Sequence, residues 1–329
     1  MIRFENLGYK YTADEIIEYY SAPPVNEYFV SFCENLIEEL RQIGKIRTTE
    51  TYTTTLNSFK RFMNFRKKGR DIPFDNIDSN LMMEYEQYLK SNDICPNSTS
   101  YYMRNLRAMY NRAVEKELVI QRYPFKHVYT GIDKTVKRAV PAKIIRQIRD
   151  MDLSHDSSLE YARDLFMFSF YTRGMSFIDM AYLKKSNLQN GFLSYRRKKT
   201  NQQLVIKWEK PMQEIIDKYD TIGSSYLLPI ILDAKTDERK QYKNAAQLVN
   251  SKLKKLGKQI GLPIPLTSYV ARHAWASIAR SKNIPLATIS EAMGHDSEST
   301  TRIYLASLDT SVVDLSLIHI SEPTRLRCI

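Results

Sequence analysis

The sequence predicts a mainly α protein with a small antiparallel β-sheet, an α+β chain in two domains. Three observations lead there. Helical periodicity fills roughly the first 130 residues, a single hairpin signal lies between further helical stretches in the second half, and a short basic stretch at 131–141 parts the two. At 329 residues the chain has room for two domains.

Residues 26–43 place Phe29, Phe32, Cys33, Leu36, Ile37 and Leu40 at helical spacing. Residues 49–66 repeat the pattern with Tyr52, Leu56, Phe59 and Met63, Phe62 fitting less regularly. A third helix is expected over about 79–91 from Leu81, Met82, Tyr85 and Leu89. Pro96 and Asn97 give a start signal for a fourth, with Met103, Leu106, Tyr110, Ala113 and Val114 on one face. Its other face carries Arg104, Arg107, Arg112 and Lys116, so the expectation is one compact helical bundle with a basic surface. Gly131 opens and Pro141 closes the linker GIDKTVKRAVP, which Lys134, Lys137 and Arg138 make basic.

From about 142 a second domain begins. Its first strong helix includes 161–171, dominated by Leu165, Phe166, Phe168 and Phe170. Gly191 then opens a hairpin: FLSYRRKKT, a polar turn near Asn201, and QLVIKW. Side chains alternate along a strand, so Leu193, Tyr195, Arg197 and Lys199 are expected to share a face. Helices resume around 243–260 and 268–281. LATISEAM reads as a helix stopped by Gly294. His295 emerges in the turn, and Asp296 or Ser297 caps a short helix that presents Tyr304 about two turns along.

The formal net charge is +12, from 49 Lys and Arg against 37 Asp and Glu, which favours a polyanionic partner. No apolar run approaches the roughly 20 residues that span a bilayer. The opening MIRFENLGYKYTADE has no signal-peptide core, so a cytoplasmic, nucleoid-associated chain is expected. The cysteines, Cys33, Cys95 and Cys328, are widely spaced and odd in number, which suits reduced thiols and neither a disulfide framework nor a metal site. No cofactor is expected.

Five residues are candidates for chemistry. Arg173 lies in YTRGMSFIDMAYL, Lys199 ends a basic run, Arg272 lies in TSYVARHAWASIA, and His295 and Tyr304 lie nine apart in EAMGHDSESTTRIYL. Singly, each has a structural explanation: a salt-bridge arginine, a solvated turn lysine, a loop histidine, one of 22 tyrosines packed in a core. Together and in this order they resemble the tyrosine recombinase family of phage and mobile-element integrases. Its first arginine box is similar to TRGMSFIDMAYLKKSNL, its hairpin lysine to KKT, its second box to Tyr269-Val-Ala-Arg272, and its nucleophile segment to GHDSESTTRIYLASLD. The resemblance covers about residues 25–314 and implies a helical SAM-like core-binding domain over 25–130, the basic linker over 131–141, and a catalytic domain over 142–314. Residues 1–24 would be an N-terminal remnant. The tail at 315–329, opening LSLIHISEPTR, resembles a translated sequencing adapter and is expected to be non-native.

The resemblance implies a site-specific recombinase or integrase that cuts and rejoins DNA through a 3′-phosphotyrosine on Tyr304, integrating or excising a mobile element without metal or ATP. It would act as a C-shaped clamp on duplex DNA. Its assembly would be a homotetramer on two duplexes, a monomer without DNA, with directionality or host bending factors as further partners. The residue types suit that chemistry. Paired guanidiniums, Arg173 and Arg272, can hold the non-bridging oxygens of a five-coordinate phosphorus. A tyrosine hydroxyl with a reference pKa of ~10 must lose its proton as it attacks. The leaving 5′ oxygen needs a proton, which Lys199 can supply. Tyr269 departs from the pattern, because the family usually has histidine there. A phenol can donate a hydrogen bond to phosphate but is a poor base near neutral pH, leaving His295 or the adjacent His273 to compensate. Expected DNA contacts are Arg104, Arg107, Arg112, Lys134, Lys137 and Arg138. Two rivals remain at this point: a catalytically silent DNA-binding relative and a type IB topoisomerase. The first has no use for all five candidates, and the GHDS box favours recombination over the second.

Overall fold

The computed structural model of the chain describes residues 28–67, 69, 71–133 and 139–305, together with Thr12. The expected N-terminal remnant (Thr12 aside), the linker residues Lys134, Lys137 and Arg138, and the tail at 315–329 lie outside the described residues. The chain divides into two units, Met1–Thr135 and Val136–Ile329. Their elements are mainly helices, with one three-stranded antiparallel sheet. Among the described residues no helix is long and apolar enough to cross a membrane.

The first unit holds α1 (Phe29–Gln42), α2 (Ile46–Phe65), α3 (Ser79–Ser91) and α4 (Pro96–Glu115), with one turn of 3-10 helix at Phe74–Asn76. α1 has no capping side chain at its own N-cap, Tyr28. Asp71 supplies one from 40 residues away: its carboxylate accepts from the Val30 and Ser31 amides at 2.7 and 2.9 Å. A carboxylate there satisfies orphan amides and meets the positive end of the helix dipole. α3 is capped locally by Asp78, which accepts from the Leu81 amide at 2.7 Å. The core is aromatic. Phe59 is fully buried, with its ring edge-on to Phe29 and Tyr85 at centroid distances of 5.8 and 5.4 Å. On α4, Arg104 and Arg107 are exposed and Arg112 half-buried, while Lys116 is committed to Glu39 at 3.2 Å. Two of the first three residues of the expected linker are tied to α4: Ser100 Oγ donates to the Gly131 carbonyl at 2.6 Å, and Asn97 and Asp133 bond each other twice.

The second unit is built on α6 (Ser157–Tyr171), which is buried around most of its circumference and touches α5 (Ala142–Asp150), α8 (Lys210–Asp217), α9 (Glu238–Gln259) and α10 (Ser268–Ser281). α7 (Phe177–Ala181) follows α6 after a tight turn. The sheet runs β1 (Leu188–Gln189), β2 (Phe192–Arg196) and β3 (Gln203–Lys207), all antiparallel, with Leu193 opposite Ile206 and Tyr195 opposite Leu204 on its buried face. α11 (Leu286–Met293) and α12 (Glu298–Leu305) close the unit, sharing a small core of Ala276, Ala279, Ile289, Met293 and Leu305.

Lys199 does not continue the face of Leu193 and Tyr195 as the alternation suggested. β2 ends at Arg196, because Arg197–Gln202 closes into a turn by the bonds Arg197 N to Gln202 O and Asn201 N to Arg197 O, both 2.9 Å. Asn201 takes the left-handed conformation this requires (φ 57°). Lys199 is exposed on the turn. α5, α7, α8 and β1 were not anticipated; three of them are eight residues or shorter, too short to show a period.

Phe59→Ala should destabilise the first unit by about 3–5 kcal/mol, as truncation of a fully buried aromatic ring does. Urea denaturation followed by the circular dichroism of the whole chain would show an early transition; an unchanged midpoint would contradict this packing.

Candidate functional site

The site grows from a strained turn. α6 ends at Tyr171, and the chain reverses through Arg173 (φ 60°) and Gly174 (φ 75°), two successive left-handed residues. The Gly174 amide closes the turn on the Ser169 carbonyl at 2.8 Å. Gly174 is required twice over: by its φ, and because a Cβ there would stand 2.6 Å from the Arg272 Cα. That close approach lets the Gly174 carbonyl accept from Arg272 Nη1 at 2.9 Å. Arg272 lies on α10 and is only 4% exposed. Its Nη2 donates to the Met293 carbonyl at 2.7 Å, the last residue of α11.

α11 stops because Gly294 adopts the left-handed conformation (φ 60°, ψ 50°), which turns His295 back onto the site. His295 Nε2 lies 3.0 Å from Arg272 Nη2, and its Nδ1 lies 2.7 Å from Thr301 Oγ1 on α12. A guanidinium can only donate, so Nε2 accepts and Nδ1 carries the proton toward Thr301. Burial, then the charges of Arg272, Arg197 and Lys199, push the His295 pKa down to about 4, so the ring is neutral at pH 7. Ser297 caps α12, accepting from the Thr300 amide at 3.4 Å, which leads the chain into the helix that contains Tyr304.

The hairpin turn packs on the same place. Arg197, 6% exposed, donates from Nη1 to the Gly294 carbonyl. Asp179, buried at the start of α7, accepts from Ser176 Oγ at 2.6 Å and from the Lys198 amide at 2.8 Å, and so ties the turn down. Gln202 Nε2 reaches Asp296 Oδ1 at 3.0 Å. Burial, and then the charge of Asp179, push the Tyr195 phenol up, while Arg197, Arg272 and Arg173 all lie within electrostatic reach of it.

Among the residues singled out from sequence, Arg173, Lys199, Arg272 and His295 thus share one neighbourhood. The Arg173 side chain is half-buried, with Nη1 3.4 Å from the Val205 carbonyl on β3. Tyr269, one turn before Arg272, is 53% exposed and meets His273 edge-on, ring centroids 4.7 Å apart. Tyr304 belongs to α12, and its side chain lies outside the described residues. Sequence reasoning passed over Arg197, Asp179, Gln202 and Thr301. Asp179 and Arg197 sit inside segments it singled out, TRGMSFIDM and YRRKKT, but nothing local distinguishes Arg197 from its basic neighbours. Among the described residues no cluster of three His, Cys, Asp or Glu side chains is placed to hold a metal.

Comparison with known proteins matches this architecture at several levels. Residues 28–130 match the model of the phage integrase SAM-like domain, and residues 142–311, more than half of the chain, match that of the phage integrase family. The chain is 25% identical over 292 residues to tyrosine recombinase XerC of Rickettsia bellii (strain OSU 85-389), covering 83% of this chain and 90% of that one. It is 27% identical over 196 residues to tyrosine recombinase XerA of Pyrococcus horikoshii, covering 57% and 67%. In fold it is similar to a lambda integrase tetramer bound to a Holliday junction (TM-score 0.64, 15% identity, 90% and 82% covered). It is also similar to XerH recombinase in a post-cleavage complex with a palindromic difH substrate (TM-score 0.62, 15% identity, 89% and 85% covered). The chain belongs to the phage integrase family. Its activity is that of a tyrosine-type site-specific recombinase.

Two outcomes follow from the geometry. Gly174→Ala should cost about 2–4 kcal/mol, combining a left-handed alanine with an overpacked contact on Arg272, and chemical denaturation would measure it. His295 should make stability fall on the acid side. Below its ordinary pKa of 6.5 the unfolded chain takes up a proton that the folded chain refuses until about pH 4, so stability is lost as pH drops through that window. The melting-temperature difference between the wild type and His295→Gln should therefore shift steadily in the variant's favour from pH 6.5 to 4; a difference independent of pH would refute the buried neutral ring.

Proposed function

We propose that this chain cleaves and rejoins duplex DNA through a covalent 3′-phosphotyrosine on Tyr304, to integrate or excise a mobile element. The observation that carries the reading is the buried Arg272 guanidinium, held by the Gly174 and Met293 carbonyls beside the neutral His295, in the turn that leads into the helix of Tyr304. Arg272 donates to a non-bridging oxygen of the scissile phosphate. The Tyr304 oxygen attacks phosphorus, the bond to the 5′ oxygen breaks, and Lys199 on the hairpin turn gives that oxygen its proton. His295 accepts the phenolic proton at Nε2, which is freed when the Arg272 Nη2 that donates to it turns to the phosphate. It is a weak base in the free protein, but the negative charge of an arriving phosphate raises its pKa, so base strength develops only with DNA in place. Rejoining is the same sequence in reverse, with a 5′ hydroxyl attacking the phosphotyrosine, and needs no external energy source.

Arg173 adds its charge from the rim once DNA competes for its weak bond to Val205, and Tyr269 donates a hydrogen bond to the phosphate in place of the usual histidine. Arg104, Arg107 and Arg112 on α4 carry phosphate contacts of the first unit, and Lys134, Lys137 and Arg138 of the basic linker sequence add to them. The related proteins solved with DNA, one of them a tetramer on a Holliday junction, support DNA as the partner and a homotetramer on two duplexes as the working assembly.

Tyr304→Phe should abolish the covalent adduct on a nicked suicide duplex while leaving DNA affinity within about twofold, because affinity rests on many spread phosphate contacts. Adduct formation by the phenylalanine variant would place the nucleophile elsewhere.

A further inference from the structure

We infer that Arg197 is a catalytic residue, the second buried guanidinium that grips the scissile phosphate beside Arg272. The inference rests on the reading of Tyr304 and Arg272 above and extends it to a residue that the motif resemblance did not assign.

Four observations converge. Arg197 is 6% exposed although it sits in a run of four basic residues, Arg196–Lys199, of which Arg196, Lys198 and Lys199 are exposed. Its Nη1 donates to the Gly294 carbonyl, while Arg272 donates to the carbonyl of the preceding residue, Met293, so the two guanidiniums meet on consecutive peptide groups of one turn. The position of Gly294 leaves no room for more: a Cβ there would stand 2.7 Å from Arg197 Cδ. Finally, Arg197 Nε is buried and has no hydrogen-bond partner, since the Asp179 carboxylate stands 3.9 Å away and is engaged by Ser176 and by the Lys198 amide.

A buried donor without an acceptor is destabilising, and native structures keep such a group where a ligand completes it. The acceptor must be anionic, because the buried cations Arg197 and Arg272, with Lys199, all bear on His295, while a single buried carboxylate, Asp179, stands near Arg197. It must also be placed for paired donors, which is the geometry of a phosphodiester's two non-bridging oxygens. Arg173 is differently placed: half-buried, with its Nη1 on a β3 carbonyl. Arg197 therefore provides the preorganised fork that acts with Arg272, and Arg173 supports from the rim. The arrangement also couples the hairpin to the chemistry. Arg197 and Lys199 stand two apart on one turn, so docking of that turn on Gly294 brings the phosphate clamp and the proton donor together.

The test uses the full chain and a nicked suicide duplex captured covalently by the wild type from a pool with randomised flanks. A second duplex of the same sequence carries a methylphosphonate at the scissile position, which has no negative charge to stabilise. Adduct formation by Arg197→Ala should fall about 100-fold or more on the phosphodiester and no more than severalfold on the methylphosphonate, with DNA affinity and melting temperature near wild type. A phosphodiester rate within about threefold of wild type overturns the inference, as do equal losses on both substrates, which mark a purely structural arginine. If the wild type is inert on the methylphosphonate, the phosphodiester rate at unchanged affinity and melting temperature decides by the same thresholds. If Arg197→Ala does not fold, Arg197→Lys keeps the charge without the fork and is read in the same way, with a loss of about tenfold on the phosphodiester as the dividing line. A wild type that yields no adduct from the pool removes the Tyr304 reading and this one together, whereas a wild-type adduct with an unimpaired Arg197→Ala removes this one alone.

Discussion

The Arg272 guanidinium is a cation almost wholly withdrawn from water, and the second unit is organised around making that tolerable. A buried charge is costly unless its donors are met. Two backbone carbonyls meet them, Gly174 from the turn after α6 and Met293 from the end of α11. Each carbonyl is available only because the local chain does something unusual. Gly174 comes close enough by lacking a Cβ, after Arg173 has already taken a left-handed conformation, and α11 is stopped by a left-handed Gly294. Neither carbonyl is anionic, so the charge is solvated without being neutralised. The site keeps a positive potential for an anionic substrate.

The same economy runs through the neighbours of Arg272. His295 is held neutral by burial and by three surrounding cations, with its proton fixed on Nδ1 by Thr301. Asp179, the buried carboxylate nearest Arg197, spends its bonds on positioning the hairpin turn. These donors are therefore held in fixed orientations by the protein itself.

The first unit follows a different logic. Its core is rich in aromatic rings, from α1, α2 and α3 together with Phe74, Tyr110 and Phe125. Even so, its first helix depends on a distant carboxylate, Asp71, to finish its N-terminus. The exposed arginines of α4 stand opposite the buried Met103, Leu106 and Tyr110, so a single helix provides both the packing face and the basic face.

Much of this was legible in the sequence, and the limits have a physical cause. Helical periodicity located α1 to α4, α6 and α10 to within a few residues, because a period of 3.6 records which side of a helix is apolar. The hairpin and the glycine stop before His295 were likewise local signals, readable from a handful of adjacent residues, and of the two cap candidates for α12, Asp296 and Ser297, the structure takes Ser297. The order of Arg173, Lys199, Arg272, His295 and Tyr304 carried the resemblance to the family to which the chain belongs. What only the tertiary structure decided is how residues far apart in the chain meet. Arg197 is one basic residue among four until a contact 97 residues away, at Gly294, buries it. The pattern of alternation ran on to Lys199, but the turn bonds from Arg197 to Gln202 ended the strand first. Arg173 carries the family box, yet its left-handed backbone sends the side chain to β3 and leaves its neighbour's carbonyl to Arg272. Periodicity encodes burial along one element. Which donor meets which carbonyl depends on how several elements close on one another, and that information is carried by no single stretch of sequence.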